Sequence, residues 1–375
     1  MFGGYLLYID KISLKNFRNY RDETIEFSKD LNIIYGQNAQ GKTNIIEAVF
    51  LCASGRSHRT SKDAELVNID GTGFSILLEL EKTEGRKNIG IEYERGKKKI
   101  VKINEVPVKK IGSLMGNLVA VIFSPEDILI IKEGPSQRRR FIDITLCQLK
   151  PSYFYDLQQY NKILLQRNAL LKEIQFRRSL LDTLEVWDYK IAELSSRIMI
   201  ARNEFINRLC EIAKRIHFNL TDGSESMEIK YSPSVGLHNL SDPAELKNEF
   251  IKQLSNTRAS ELKRCVTLIG PHRDDYEMVL NGLSLKMFGS QGQQRTSVLS
   301  LKLAEIEIIR SETDENPVLL LDDVMSELDF KRREFLLENI KNIQTFITCT
   351  DKDLFENRNF GDNLYIRVEA GRAYY

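Results

Sequence analysis

Gly36-Gln37-Asn38-Ala39-Gln40-Gly41-Lys42-Thr43 is the stretch that decides the fold of this 375-residue chain. Its spacing is that of the phosphate-binding pattern G-x-x-x-x-G-K-[ST]. The flanks agree with it. Leu31-Asn32-Ile33-Ile34-Tyr35 is an apolar run that predicts a buried strand, and Ile45, Ala48, Val49 and Cys52 recur behind the loop at helical spacing. Strand, glycine loop and helix aim backbone N–H groups and a helix N-terminus at one anion. In that geometry Gly36 to Thr43, with Asn44 beside them, wrap a nucleoside triphosphate. Lys42 reaches the β- and γ-phosphates and Thr43 holds Mg²⁺.

Composition narrows the class. Hydrophobic residues make up 42% and charged residues 29%, as in soluble globular proteins rather than disordered ones. The longest apolar runs, such as Leu118 to Phe123, are far too short to span a bilayer, and no basic segment precedes an apolar N-terminal stretch. Five cysteines (Cys52, Cys147, Cys210, Cys265, Cys349) are scattered without metal-ligand spacing, and four histidines form no cluster. They read as reduced thiols of a cytoplasmic protein without a zinc site. A net charge of +1 exerts no global pull on nucleic acid, so any DNA contact must come from local runs. Lys97, Lys98, Lys99, Lys109 and Lys110 form the best candidate phosphate track. Arg138-Arg139-Arg140, Arg177-Arg178 and Lys331-Arg332-Arg333 are further basic runs.

Residues 8 to 35 alternate like strands around Asn16-Phe17-Arg18-Asn19-Tyr20. Strand texture resumes at 74–80, 89–93 and 100–103 with hairpin-like breaks. From about Pro135 the texture becomes helical, predicting helices over 136–148, 152–180 and 183–215, with another over 242–262. Strands are expected again at 276–280 and 283–287. The expected class is therefore α/β: a P-loop ATPase head with a mixed β-sheet, over residues 1–130 and 265–375, and an inserted α-helical lobe over 131–264.

A second element completes the chemistry. Val318-Leu319-Leu320-Leu321 after Pro317 predicts a buried parallel strand. Asp322 and Asp323 then emerge at its carboxyl end, where a phosphate loop places its metal. Asp322 is expected to hold Mg²⁺. Asp323 is expected to act as base or to orient water for γ-phosphate hydrolysis. A third element, Gly289-Ser290-Gln291-Gly292-Gln293, leads into a helix with Ser290 as a suitable N-cap.

Gly289 to Gln293 resembles the L-S-G-G-Q signature of ABC-type ATPases, departing from it at the first and third positions. Ser326-Glu327-Leu328-Asp329 resembles the D-loop of the same class, and Ile12 to Tyr20 resembles the start of its SMC-like branch. Ser57-His58-Arg59-Thr60, Phe123-Ser124-Pro125-Glu126-Asp127, Arg138 to Asp143 and Gly270-Pro271-His272-Arg273-Asp274-Asp275 narrow the resemblance to the RecF family. Met1 to Leu7 precede the family-like start and read as an extension or an upstream start site.

The resemblance implies an ATP- and Mg²⁺-dependent homodimer in which Ser290 and Gln293 of one copy act on ATP held by the other. It implies weak ATPase activity, DNA binding, and action with RecO and RecR to load RecA in repair, replication and the SOS response. No switch histidine follows the next strand, which leaves Thr348 or Thr350 as the γ-phosphate sensor. Arg59 and Arg273 read as nucleotide contacts or as ion-pair partners. The competing readings are a nucleotide-binding subunit of another ABC-type system, such as a transporter, and a monomeric P-loop kinase.

Overall fold

The computed structural model describes residues 7–236, 242–352, 355 and 362–375, so Met1 to Leu6 of the expected extension lie outside the described residues. Packing separates the chain into two compact units, residues 1–128 with 298–375 and residues 129–297.

In the first unit the chain runs β1 (Leu7–Phe17), β2 (Tyr20–Glu26), β3 (Leu31–Tyr35), α1 (Lys42–Ser54), β4 (Gly73–Lys82), β5 (Gly85–Glu94), β6 (Ile100–Ile103), β7 (Val106–Pro107) and β8 (Ala120–Phe123). In the second it continues α2 (Leu129–Lys132), α3 (Pro135–Leu149), α4 (Pro151–Ile174), α5 (Leu184–Leu220), β9 (Met227–Ser232), α6 (Pro243–Arg264), β10 (Asp275–Leu280), β11 (Leu283–Ser284) and α7 (Leu285–Phe288). After α8 (Gln291–Thr313) come β12 (Val318–Asp322), α9 (Phe330–Asn339), β13 (Thr345–Cys349), β14 (Asn363–Glu369) and β15 (Arg372–Tyr374).

Two sheets build the first unit. One is antiparallel, in the order β2-β1-β4-β5-β6-β7. Its strands alternate buried and open positions, as in Gly73–Lys82, because one face is packed and the other wet. The other sheet has the order β15-β14-β3-β13-β12-β8, with β14, β3, β13, β12 and β8 mutually parallel. β12 and β13 are buried at every position, which is why Val318–Leu321 is an unbroken apolar run; the two threonines of β13 are buried as well. α1 touches strands of both sheets. It is buried from Ile45 to Ala53, so it is enclosed on all sides rather than along one stripe, with Glu47 its one charged residue in that stretch.

The second unit is helical with a small antiparallel sheet, β11-β10-β9. Residues 265–297, assigned to the head from sequence, pack with this unit, because β10 pairs with β9 and Asp275 binds Arg138. The helix expected over 152–180 stops at Ile174, followed by a 3-10 turn, Arg178–Thr183. No Gly or Pro marks that stop. The chain doubles back because Leu171, Ile174 and Leu184 bury one another, with Leu180, Leu181 and Leu262 packed against them. The strand expected over 283–287 ends at Ser284. Asn281 and Gly282, at φ +49° and +82°, turn the chain back on β10, and Gly289 N–H closes a helical turn on the Leu285 carbonyl.

Candidate functional site

The parallel sheet delivers the predicted residues to a single edge. Gly36 follows β3, Asp322 ends β12, and Thr348 lies in β13 at the level of Asp322 and Ile34. In a parallel ladder such register partners point to the same face, and carboxyl ends of strands are where α/β sheets receive ligands.

The phosphate loop is held in shape from three sides. Gly36 sits at φ +145°, and a Cβ there would come 2.4 Å from the Val368 carbonyl oxygen of β14. Gly41 sits at φ +120°, and a Cβ there would meet the Asn19 amide at 2.7 Å. Side chains complete the cradle. Asn19 Nδ2 donates to the Gln40 carbonyl at 2.6 Å, Tyr20 Oη to the Gly41 carbonyl at 3.1 Å, and Asn44 Nδ2 to Asn19 Oδ1 at 2.8 Å. From the β14–β15 turn, Ala370 N–H donates to Gln40 Oε1 at 2.7 Å and Gly371 N–H to its carbonyl at 3.1 Å. Asn38 and Ala39 lie at the loop's crest, Ala39 at φ +65°. Lys42 is buried and its ammonium donates to the carbonyls of Gly36 at 2.7 Å and Gln37 at 2.9 Å.

Thr43 Oγ1 donates to Asp322 Oδ1 at 2.8 Å, and Thr348 Oγ1 donates to the same oxygen at 2.8 Å. Asp323 N–H in turn donates to Thr348 Oγ1 at 2.9 Å. Burial pushes the Asp322 carboxyl above its ordinary range, the two hydroxyls pull it partly back, and the Asp323 charge adds to the rise. Thr348 is fully buried with its hydroxyl engaged on both sides, by Asp322 and by the Asp323 N–H; Thr350 is exposed. Asp323 takes a left-handed φ of +53°, which turns the chain out of β12 immediately after Asp322. Ser326 Oγ donates back to the Asp323 carbonyl at 2.9 Å, and Asp329 caps α9 by accepting from Arg332 N–H at 2.9 Å.

Glu47, unremarked in the sequence, anchors the outer side of α1. Arg18 binds it through two nitrogens at 2.8 Å each, Ser57 at 2.5 Å and Arg59 at 3.4 Å. Burial alone would raise its pKa, but these hydrogen bonds and cationic charges leave it below the ordinary value. Arg59 is thus an ion-pair partner, also 3.1 Å from Asn44 Oδ1. An open cleft of about 760 Å³ beside these residues is lined by Arg18, Asn19, Asn44, Arg59, Asn68 and Arg95. Arg18, Asn19, Asn44 and Arg59 of this lining were singled out in the sequence, whereas Asn68 was not.

In the second unit, Ser290 and Gln293 cap α8 reciprocally: Ser290 N–H donates to Gln293 Oε1 at 2.9 Å, and Gln293 N–H to Ser290 Oγ at 3.2 Å. Gln293 Nε2 also donates to Glu225 Oε1 at 2.9 Å, so its amide is spent while the Ser290 hydroxyl keeps its proton to give. Arg273 is exposed, its guanidinium donating to the Thr267 carbonyl at 3.4 Å and its N–H to the Gly270 carbonyl at 2.7 Å.

The basic runs part company. Lys99 is drawn inward onto Asp63 at 2.6 Å and the Gly55 carbonyl at 3.0 Å, so it does not serve as an open phosphate contact. Lys97 pairs with Glu94 at 2.6 Å, and Lys98, Lys109 and Lys110 are exposed. Arg138 is buried on Asp275 at 2.6 and 2.8 Å, and Arg332 pairs with Asp329. Among the described residues no group of three or more His, Cys, Asp or Glu side chains could hold a metal, and no helix is long and apolar enough to cross a membrane.

Residues 8–370 match the RecF/RecN/SMC N-terminal domain family. DNA replication and repair protein RecF of Acetivibrio thermocellus is 85% identical, covering 98% of this chain and all of its own length. That of Ruminiclostridium cellulolyticum is 48% identical, over 98% of this chain and 99% of its own length. A solved structure of the recombination mediator protein RecF with ATP, in the RecFOR pathway, superposes with TM-score 0.93 at 39% identity, covering 100% of this chain and 98% of that one. The Smc head domain of Pyrococcus furiosus, at 16% identity and TM-score 0.55 over 98% of this chain and 95% of its own, shares the fold. This chain belongs to the RecF family of DNA replication and repair proteins, within the RecF/RecN/SMC group of ABC-type ATPase heads.

Proposed function

We propose that this protein is an ATP-dependent, DNA-binding recombination mediator that closes into a two-fold dimer on ATP. The observation that carries the reading is the line Thr43–Asp322–Thr348 at the edge where the phosphate loop ends. One hydroxyl and one carboxylate oxygen make a hard donor pair suited to Mg²⁺, which keeps the rest of its shell for phosphate and water. The fit extends to the loop: Lys42 is held by neutral carbonyls that it can leave for an anion at small electrostatic cost.

Bound Mg·ATP supplies an electrophilic γ-phosphorus and a good leaving group. The protein's part is placement. Gly36 to Asn44 bind and orient the phosphates, Lys42 neutralises them, and Thr43 and Asp322 hold the metal. Asp323 takes the proton of the attacking water. The open cleft beside Asn44, where Val67 and Ile69 lie among polar lining residues, suits the base and ribose. Ser290, with a hydroxyl proton to spare, caps the γ-phosphate of the partner copy from the N-terminus of α8. Gln293 joins it on leaving Glu225.

Lys98, Lys109 and Lys110 are the remaining exposed candidates for duplex phosphates. The family and the RecF–ATP neighbour's pathway support action with RecO and RecR to load RecA at gaps and junctions in the cytoplasm, in repair, replication restart and the SOS response. The test is size-exclusion chromatography with and without ATP, then with duplex DNA. ATP should produce a dimer that retains DNA, and Ser290→Arg should bind ATP yet stay monomeric and inactive. Full-rate hydrolysis by a monomer at every concentration sinks the reading.

A further inference from the structure

The turn between α4 and α5 carries a patch that the nucleotide site does not use. α4 ends at Ile174, and the chain crosses Gln175-Phe176-Arg177 before the 3-10 turn Arg178–Thr183. Phe176 is 87% exposed, while Leu171, Ile174 and Leu184 bury themselves directly beside it. The turn is tied to the end of α6: Gln175 Nε2 donates to the Leu262 carbonyl at 3.2 Å, and Leu262 packs on the same apolar cluster. Lys263 and Arg264 in the last turn of α6, and Lys172 in the last turn of α4, therefore border the turn that holds Arg177 and Arg178. All five cations are exposed. Arg177 meets Glu173 at 3.6 Å, a pair 72% and 54% exposed and so of little strength.

Cations in a last helical turn offset the helix dipole, which accounts for Lys172, Lys263 and Arg264. It does not account for Arg177 and Arg178 beyond the helix, nor for a bare phenyl ring among them. Three exposed acids, Glu173, Asp182 and Glu185, lie in or beside the same turn, so five cations leave an excess of two positive charges on this patch, against +1 for the whole chain.

We propose that this turn is a contact for single-stranded nucleic acid, with phosphates tracking Arg177, Arg178, Lys263 and Arg264 and one unpaired base stacked on Phe176. A duplex keeps its base faces stacked inside and offers a protruding ring nothing to lie on. A protein partner would have to supply matching acids for five cations around one apolar group. A single strand brings both chemistries at once, since each nucleotide carries a phosphate and an open π-face. The contact rests on the DNA-binding reading above and adds the lobe to it.

The test is fluorescence anisotropy with the full chain and ATP, using labelled oligo-dT and a blunt duplex. Phe176→Ala should weaken oligo-dT binding about tenfold and leave duplex binding unchanged. Arg178→Glu combined with Arg264→Glu should flatten the salt slope for oligo-dT by about 1.4, at ~0.7 per phosphate. Phe176→Trp should restore affinity and show quenching on oligo-dT beyond that of Trp187 in the parent. Unchanged melting of Phe176→Ala separates the effect from misfolding.

If the parent binds oligo-dT and Phe176→Ala binds it equally well, the proposal is overturned. If Phe176→Ala keeps its DNA affinity but loses a bound protein partner, the turn is a protein contact and the proposal also fails. A parent that binds no DNA in any form brings down the DNA-binding reading first, and this contact with it.

Discussion

Lys42 in the first unit and Arg167 in the second are both almost sealed from water, yet one is bonded to carbonyls and the other to carboxylates. Arg167 has no exposed side-chain surface and spends its guanidinium on Asp188 at 2.9 Å, Glu261 at 2.6 Å and the Thr267 hydroxyl at 2.8 Å. Nothing in solution offers it a better set of partners. Lys42 holds two neutral dipoles, and a phosphate is a better partner than either. A buried cation is thus a strut or a site according to whether its charge is already answered. The same test sorts the basic runs: Arg138 is answered by Asp275 and Lys99 by Asp63, while Arg178 and Lys98 stand open.

Arg167→Leu should give the largest change. It leaves Asp188 and Glu261 buried without their shared cation and should cost about 3–5 kcal/mol of stability by denaturant titration. ATP binding at low denaturant should be untouched; a variant as stable as the parent would erase the distinction. Lys42→Met should reduce nucleotide affinity by more than about a hundredfold, roughly 3 kcal/mol, with melting unchanged, as read by titration with a fluorescent ATP analogue. A large loss of stability instead would make Lys42 a strut too.

Thr348→Val probes the hydroxyl that sets Asp322 and Asp323. Mg²⁺ affinity, measured by metal-dependent thermal shift in the presence of ADP, should fall about tenfold, and Thr348→Ser should restore it. Equal affinity in all three proteins would reduce the contact to packing. The smallest contrast lies within one run. Lys99→Glu should cost about 1–2 kcal/mol by placing like charges against Asp63, whereas Lys98→Glu should leave stability alone and lower the duplex salt slope by about 0.9. The two lysines exchanging these phenotypes would mean that burial does not sort them.

The head was legible because its information is local. The apolar runs at 31–35 and 318–321, the glycine spacing and the paired acids mark both strands, the loop and the carboxylate that meets Thr43 without reference to distant chain. The supports of the loop were not. Val368 against Gly36, Gln40 against Ala370 and Glu47 against Arg18 join residues that no periodicity relates. The stop of α4 escaped for a similar reason: it is made by leucines packing across a bend, with no residue whose backbone preference announces it. Thr348 was singled out as a candidate sensor, but its bonds to Asp322 and Asp323 were not legible. Its role follows from strand register, which places it level with Asp322. The reading of 265–297 as head followed chain order, whereas β10 is held by β9.

β3, whose end carries the phosphate loop, lies between β13 and β14, both from the final stretch of the chain, and the Ala370-Gly371 turn closes on Gln40. Residues 129–297, a compact unit in one unbroken segment, leave the ribosome before those strands exist. During synthesis the lobe has what it needs to fold first, while the half-made head waits with β3 lacking both neighbours. A ribosome stalled before residue 345 would therefore display a finished lobe and no working nucleotide pocket.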